Sequence, residues 1–438
     1  MKTLQKKGKR VTKTIFLIFC LLLYSNFSEA QIRYAEYFSD KVLRIDLLRS
    51  GNALKDSLKI TSLYTEEFWS GCRTKTIDVY EYGDYKVEIN DISNGMLLFS
   101  YSYSSLFSEY LFTEQGRNES KDFQETLRIP FPKKTISIAF FKRPKGTEGW
   151  IEELRLTFNP NKPPMIVNTV VSTTKMRKII DSGEPEHHVD IAFISEGYTL
   201  DEQMKFIEDS KRISEYLLNC EPFSLHKDRM NIWAVFSPSD ESGVTDPSEN
   251  SVKETALGFN FSTFGTDRYL MTENHFALRN AASAVPYDHL IVIVNTDKYG
   301  GGGIYNFYAS CPSDNSETAF LVVHEFGHSF AGLADEYWTS DVSVTAYYNL
   351  ETEPVEPNIT TLVNFQSKWQ DLIEEETPVP TPNEKKYRTT TGVFEGGGYV
   401  EKGIYRPYYD CTMKSVQYNA FCPVCRRAIE ETIRLYSE

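Results

Sequence analysis

The chain has 438 residues, of which 41% are hydrophobic and 25% charged, with 61 acidic against 47 basic side chains and a formal net charge of -14. That composition is ordinary for a globular protein long enough for two sizeable cores, and it excludes a disordered or low-complexity chain. The acidic balance argues against nucleic acid and anionic membrane surfaces as partners.

The first 30 residues read as a secretory signal. A basic head, "MKTLQKKGKR", precedes an apolar run from Ile15 to Tyr24, and "SNFSEA" then offers small residues for cleavage between Ala30 and Gln31. The apolar run is short for a transmembrane helix, and no later segment is long and apolar enough to be one. The mature protein is therefore expected to be exported, secreted or held at the periplasm or cell surface. Removing the signal takes six of the 47 basic residues and one of the 61 acidic ones, leaving 41 against 60 and a formal charge of -19.

Residues 31–164 are expected to form a β-sandwich. Runs such as "DVYEYGDYKVEI", "MLLFSYSYSSLF", "KTISIAFF" and "IEELRLTF" are rich in β-branched and aromatic residues, alternate in polarity and are separated by turn residues. "NPNKPP", residues 159–164, marks the boundary, because its prolines cannot continue a sheet interior.

Residues 165–438 follow a different grammar. "VDIAFISEGY" predicts a buried strand, and Thr199 with Glu202 predicts a capping box opening a helix. Met204, Phe206, Ile207, Ile213, Leu217 and Leu218 mark the apolar face of that helix. The strands "MNIWAVFS" and "HLIVIVN" flank a polar stretch whose Asp240, Glu241, Asp246 and Glu249 lack calcium-loop spacing and read as a solvated acidic loop. Strands alternating with helices imply a layered α/β domain, so the whole chain is an α+β, two-domain protein. The glycines 300–303 lack phosphate-loop spacing and predict a mobile loop or a place where another backbone comes close.

The chemistry concentrates in "VVHEFGHSFAGLADEYW", residues 322–338. Ser316 is a candidate N-cap for a helix that carries this stretch. Four residues at ~100° each bring His324 and His328 to nearly the same helix face, about one turn apart, where two imidazoles can grip one ion. Glu325 lies ~100° round from His324, beside that ion and placed to act as a base on water. A catalytic zinc usually takes three protein ligands, and a straight helix would carry later residues out of reach. Gly332 is where the chain can reverse, bringing the acidic pair Asp335 and Glu336 back towards the ion, either of them able to serve as third ligand.

Near the C-terminus, "DCTMKSVQYNAFCPVC" holds Met413 and a C-x-x-C pair. A redox role would need a strand before the helical "RRAIEETIRLY", which is not apparent. The leading expectation is a disulfide from Cys411 to Cys422 or Cys425, with a small structural metal site as the alternative.

"HEFGHSFAGLADEY" resembles the zinc signature of the bacterial IgA-peptidase family, secreted metallopeptidases of metzincin-like type, and "VDIAFISEGYTLDEQMKF" and "YGGGGIYNFYA" resemble its flanking motifs. The resemblance implies a metzincin-like α/β zinc domain preceded by a β-rich one. It further implies His324, His328 and Asp335 as ligands of one zinc ion, Glu325 as catalytic base and Met413 as the methionine turn beneath the metal. In the wider metzincin signature, H-E-x-x-H-x-x-G-x-x-H, the glycine and third ligand each fall one position earlier than Gly332 and Asp335. The implied activity is endopeptidase cleavage of extracellular proteins, with immunoglobulin A or other host glycoproteins as candidate substrates. The rival class is a secreted protein- or glycan-binding module in which the metal is structural. Glu325 counts against it, since a closed structural site needs no base beside it.

Overall fold

The computed structural model describes residues 34–437, except for 145, 148, 171–173, 339–347, 418 and 419. The signal segment and its cleavage point at Ala30 and Gln31 lie outside the described residues.

The first part of the chain is built on long antiparallel strands. β1 (Phe38–Gly51) and β2 (Asp56–Glu66) pair directly, and β3 (Tyr85–Asp91) and β4 (Leu97–Tyr103) form a second antiparallel pair. Two single-turn helices follow, α1 (Leu106–Tyr110) and α2 (Glu114–Asn118). β5 (Lys121–Pro132) returns to the free side of β1, while β6 (Ile136–Lys142) joins β3 and carries β7 (Ile151–Phe158). The short β8 (Val167–Thr169) adds to β2 in parallel, giving four-stranded sheets of order β5-β1-β2-β8 and β4-β3-β6-β7. Leu43, Ile45 and Leu47 of β1 share one buried cluster with Val87 and Ile89 of β3 and Ile138 and Phe140 of β6. The period-two alternation of these strands is what sends their apolar side chains to a single face.

The opposite face of β1 is polar yet buried. Arg44 pairs with Asp46 at 2.8 Å, lies 3.6 Å from Glu66, and donates to the side-chain oxygen of Asn280 at 2.8 Å. Arg128 holds Glu66 at 2.8 Å and also donates to the Tyr287 carbonyl. This ionic layer is the seam between the first sheet and the rest of the chain.

"DVYEYGDYKVEI" is strand only from Tyr85 on. Asp78 folds the preceding residues into a bend, accepting from the backbone of Tyr80 at 2.9 Å and Glu81 at 3.0 Å. The local side-chain bond competes with a strand ladder and wins.

The second part is built on a six-stranded sheet. β9 (Lys175–Ile180) is an antiparallel edge, and β10 (Val189–Glu196), buried along its whole length, lies beside it through β11. The capping box of Thr199 and Glu202 forms as the sequence implies, and α3 (Gln203–Asn219) follows. Met204 departs from the expected apolar face and is 62% exposed, because it sits in the first turn before the helix meets the sheet.

β11 (Met230–Phe236) runs parallel to β10; α4 (His275–Ala282) leads into β12 (His289–Val294), parallel on the other side. The edge strand β13 (Gly302–Ile304) turns back onto β14 (Tyr308–Pro312), which is parallel to β12. Parallel strands covered on both faces explain the continuous apolar run of "HLIVIV". The metal-motif helix α5 (Thr318–Ala331) packs on β13 and β14. The hairpin β15 (Phe394–Gly397) and β16 (Val400–Arg406) and the terminal α6 (Pro423–Ser437) complete the fold. No helix among the described residues is long and apolar enough to cross a membrane.

The acidic loop is less solvated than expected. Asp246 is buried and paired with Lys298 at 2.8 Å.

Candidate metal centre

Helix α5 begins one turn past β14. Ser316 does not cap it: Glu317 stands at the N-cap without a side-chain capping bond, while Asn315 closes the turn before it by accepting from the Glu317 backbone at 2.9 Å and Thr318 donates to the Pro312 carbonyl at 3.0 Å. The helix ends at Gly332 with φ 62° and ψ 29°, a left-handed residue whose N–H donates to the His328 carbonyl at 3.1 Å. The chain doubles back there, as glycine at this position permits.

The reversal delivers Asp335. Its Oδ1 lies 3.1 Å from His324 Nε2 and 3.4 Å from His328 Nε2, and the two Nε2 atoms are 3.1 Å apart. Ligands held ~2.0–2.1 Å from one tetrahedral ion sit about 3.3 Å from each other. The three donors therefore surround a point where a single cation fits. His324, His328 and Asp335 together form a group able to hold a metal ion. Asp335 Oδ1 is buried with no hydrogen-bond partner among the described residues.

Each donor is oriented from behind. Nδ1 of His324 faces the Thr412 carbonyl at 2.9 Å, and Nδ1 of His328 faces the Leu333 carbonyl at 2.5 Å, which leaves both Nε2 atoms pointing at the shared point. Tyr399 donates its hydroxyl to the other oxygen of Asp335. Burial opposes the charged form of His328, but the Asp335 carboxylate outweighs it and raises its pKa to about 9. Burial likewise works against charge on Asp335, and the two imidazoles hold it well below the usual carboxylate range. The site favours a positive charge between these groups.

Glu336 points elsewhere. Successive side chains of extended backbone face opposite ways. Its N–H donates to the Met413 carbonyl at 2.8 Å, and its carboxylate turns into a fully buried group with Cys411, Cys422 and Cys425. The expectation of a disulfide here is not met. Cys411 Sγ and Cys425 Sγ are 3.9 Å apart, and all six cysteines from Cys72 onward are free and buried.

Met413 is fully buried under α5, where a Cβ on Gly327 would meet its sulfur at 2.9 Å. This explains the glycine between the two histidines. Two glycines of the run have a similar cause: a Cβ on Gly303 of β13 would lie 2.1 Å from the Glu325 carbonyl oxygen, and one on Gly301, just before the strand, would lie 3.1 Å from the Glu325 side chain. The run leads into an edge strand packed against the helix, which is the close-approach alternative rather than the mobile loop.

Glu325 borders a cavity of about 460 Å³ that also exposes the histidine pair. Tyr82 and Arg143 from the first part of the chain line it together with Arg268, Tyr299 and Tyr337 from the second. Burial raises the Glu325 pKa, partly offset by the neighbouring imidazoles. Sequence reasoning missed Tyr399 and Thr412, the groups that orient the ligands, because neither carries a spacing signal.

A histidine pair and a returning carboxylate able to hold a metal ion thus stand at the wall of a cavity beside a further carboxylate, Glu325. Residues 178–390 and 383–433 match the family described as IgA peptidase M64, and residues 33–150 match that described as peptidase M64 N-terminus. The chain belongs to the IgA peptidase M64 family, a family of peptidases. No curated protein matches it.

Proposed function

We propose that this protein is an exported zinc endopeptidase. The observation that carries the reading is the convergence of His324, His328 and Asp335, 3.1 to 3.4 Å apart, with Glu325 beside them on the wall of the cleft. Two imidazoles and one carboxylate are a donor set of catalytic zinc, and three protein ligands leave one position open. In this reading residues 31–164 form a β-sandwich and residues 165–438 a metzincin-like zinc domain, with Met413 as its methionine turn.

Zinc bound there supplies Lewis acidity, making water a nucleophile near neutral pH and polarising the scissile carbonyl. Glu325 accepts the proton of the attacking water and delivers it to the departing amine. The fixed Nδ1 contacts of His324 and His328 keep their Nε2 atoms aimed, and Tyr399 holds Asp335 in place. Tyr82, Arg143 and Tyr337, which all line the cleft, orient a peptide along it. The substrate class is extracellular protein, with immunoglobulin A and other glycoproteins the first to assay.

The test compares wild type with Glu325→Ala for bound zinc and for cleavage of a peptide library. The expected result is zinc in both and cleavage only by wild type. Zinc in neither, or equal cleavage by both, would overturn the assignment.

A further inference from the structure

Beneath the metal centre lies a second cluster that the peptidase chemistry does not use. Glu336, Cys411, Cys422 and Cys425 offer one ligand atom each, all within 4.8 Å of one another and all buried. Neutral thiols bury readily, but a carboxyl group shut away from water with an oxygen left unpaired is costly unless something compensates it. The Glu336 oxygen Oε2 has no hydrogen-bond partner among the described residues. Its other oxygen accepts from Asn358 at 3.1 Å and lies 3.2 Å from Cys425 Sγ and 3.9 Å from Cys422 Sγ.

These spacings are those of ligands around an ion. Zinc–sulfur bonds of ~2.3 Å and zinc–oxygen bonds of ~2.0 Å set tetrahedral edges of about 3.8 Å between sulfurs and about 3.5 Å between sulfur and oxygen. Cys411 Sγ to Cys425 Sγ is 3.9 Å, and the two Glu336 distances bracket the sulfur–oxygen edge. A disulfide would need sulfurs at ~2.05 Å and would leave the third thiol and Glu336 uncompensated. We propose that Glu336, Cys411, Cys422 and Cys425 bind a second metal ion, a structural zinc, that fixes the backbone carrying the ligands of the first.

The ion's identity follows from the donors. Thiolates select zinc, copper(I) or iron–sulfur clusters, but four donors this close leave room for a single ion, and a carboxylate does not suit copper(I). Four protein ligands close the shell, as in structural zinc sites. Loading releases the thiol and carboxylic protons to solvent. Three thiolates and a carboxylate around one dication leave excess negative charge, and the buried guanidinium of Arg406 and the ammonium of Lys414 both interact electrostatically with Glu336.

The position explains a bracing role. Glu336 follows Asp335, and Cys411 precedes Thr412, whose carbonyl orients His324. The Glu336 N–H to Met413 carbonyl bond ties the two segments together. Binding of this ion is independent of the peptidase reading; only the bracing rests on it.

The test uses the full chain with His324→Ala and His328→Ala together, purified without chelator, its zinc measured by mass spectrometry and X-ray absorption. The expected result is one zinc per chain with sulfur neighbours at ~2.3 Å, against two zinc ions in wild type. Adding Cys422→Ser should abolish the remaining ion. Absence of zinc from the histidine variant would overturn the site. So would an unreduced intact mass showing a bond among the three cysteines. Loss of zinc from the histidine site alone would instead bear on the peptidase reading. For the bracing role, Glu336→Gln in the otherwise intact chain should weaken zinc binding at the histidine site by ~10–100-fold; unchanged affinity there would overturn the brace.

Discussion

Tyr399 shows how much of a metal site lies behind its ligands. Its hydroxyl meets the Asp335 oxygen that faces away from the histidines, so it fixes the carboxylate without occupying the site. Tyr399→Phe keeps the ring and removes this bond together with the hydroxyl's contact to Tyr337. Zinc affinity should fall by ~10–100-fold, as for other outer partners of metal ligands, and titration against a competing chelator measures it. Glu325 makes the opposite case. Glu325→Gln preserves shape and should retain zinc, while peptide hydrolysis should drop by at least ~10²–10⁴-fold, the usual share of a general base. A variant that lost zinc together with activity would show that Glu325 supports the ligands rather than the proton transfer.

Helix α5 owes its geometry to glycines that can be tested one at a time. At Gly332 the left-handed φ of 62° would cost an alanine about 1–2 kcal/mol, and its Cβ would stand 3.1 Å from the Tyr82 ring. Gly332→Ala should lower the urea midpoint and, by disturbing the reversal, lower activity by more than the stability loss explains. Gly303→Ala should act from the other side, since its Cβ cannot fit 2.1 Å from the Glu325 carbonyl without moving β13 off the helix. Turnover measured beside the melting temperature separates the two effects. These elements were largely legible in the sequence. The histidine spacing, the Gly332 reversal and the Thr199 capping box are local signals, and local physics decides them. What could not be read was set by distant contacts. The polar face of β1 alternates as if it met solvent, yet it is buried because α4 and the Tyr287 region cover it. Cysteine spacing points to a disulfide from Cys411 to Cys422 or Cys425, yet all three thiols are free, and Glu336, 89 residues before Cys425, joins their group.

Across the whole molecule the cleft beside Glu325 and the seam between the two parts are both made by contact of remote segments. Tyr82 and Arg143, which flank β3 and β6, line the same cavity as His324, Glu325 and His328. At that seam Asp190 and Asp288 lie side by side, the Asp190 backbone donating to Asp288 at 2.9 Å, with Ser70 and Arg128 both bonded to the Tyr287 carbonyl alongside. Burial and, for Asp190, the neighbouring carboxylate raise the pKa of both well above the ordinary carboxylate range. The folded chain thus holds protons here that the unfolded chain gives up near pH ~4. A group with a raised folded pKa contributes stability that is complete below its unfolded pKa and is lost as pH rises through the folded one. Asp288→Asn removes one such proton while keeping an oxygen to accept from Asp190. Relative to wild type, the variant should therefore gain stability as pH rises from about 5 through neutrality, by on the order of 1 kcal/mol per pH unit where the slope is steepest. Urea unfolding of both proteins at several pH values measures the difference directly. A constant difference would mean that Asp288 is already ionised in the folded protein at pH 5 and that Arg128 beside it, rather than burial, governs the seam.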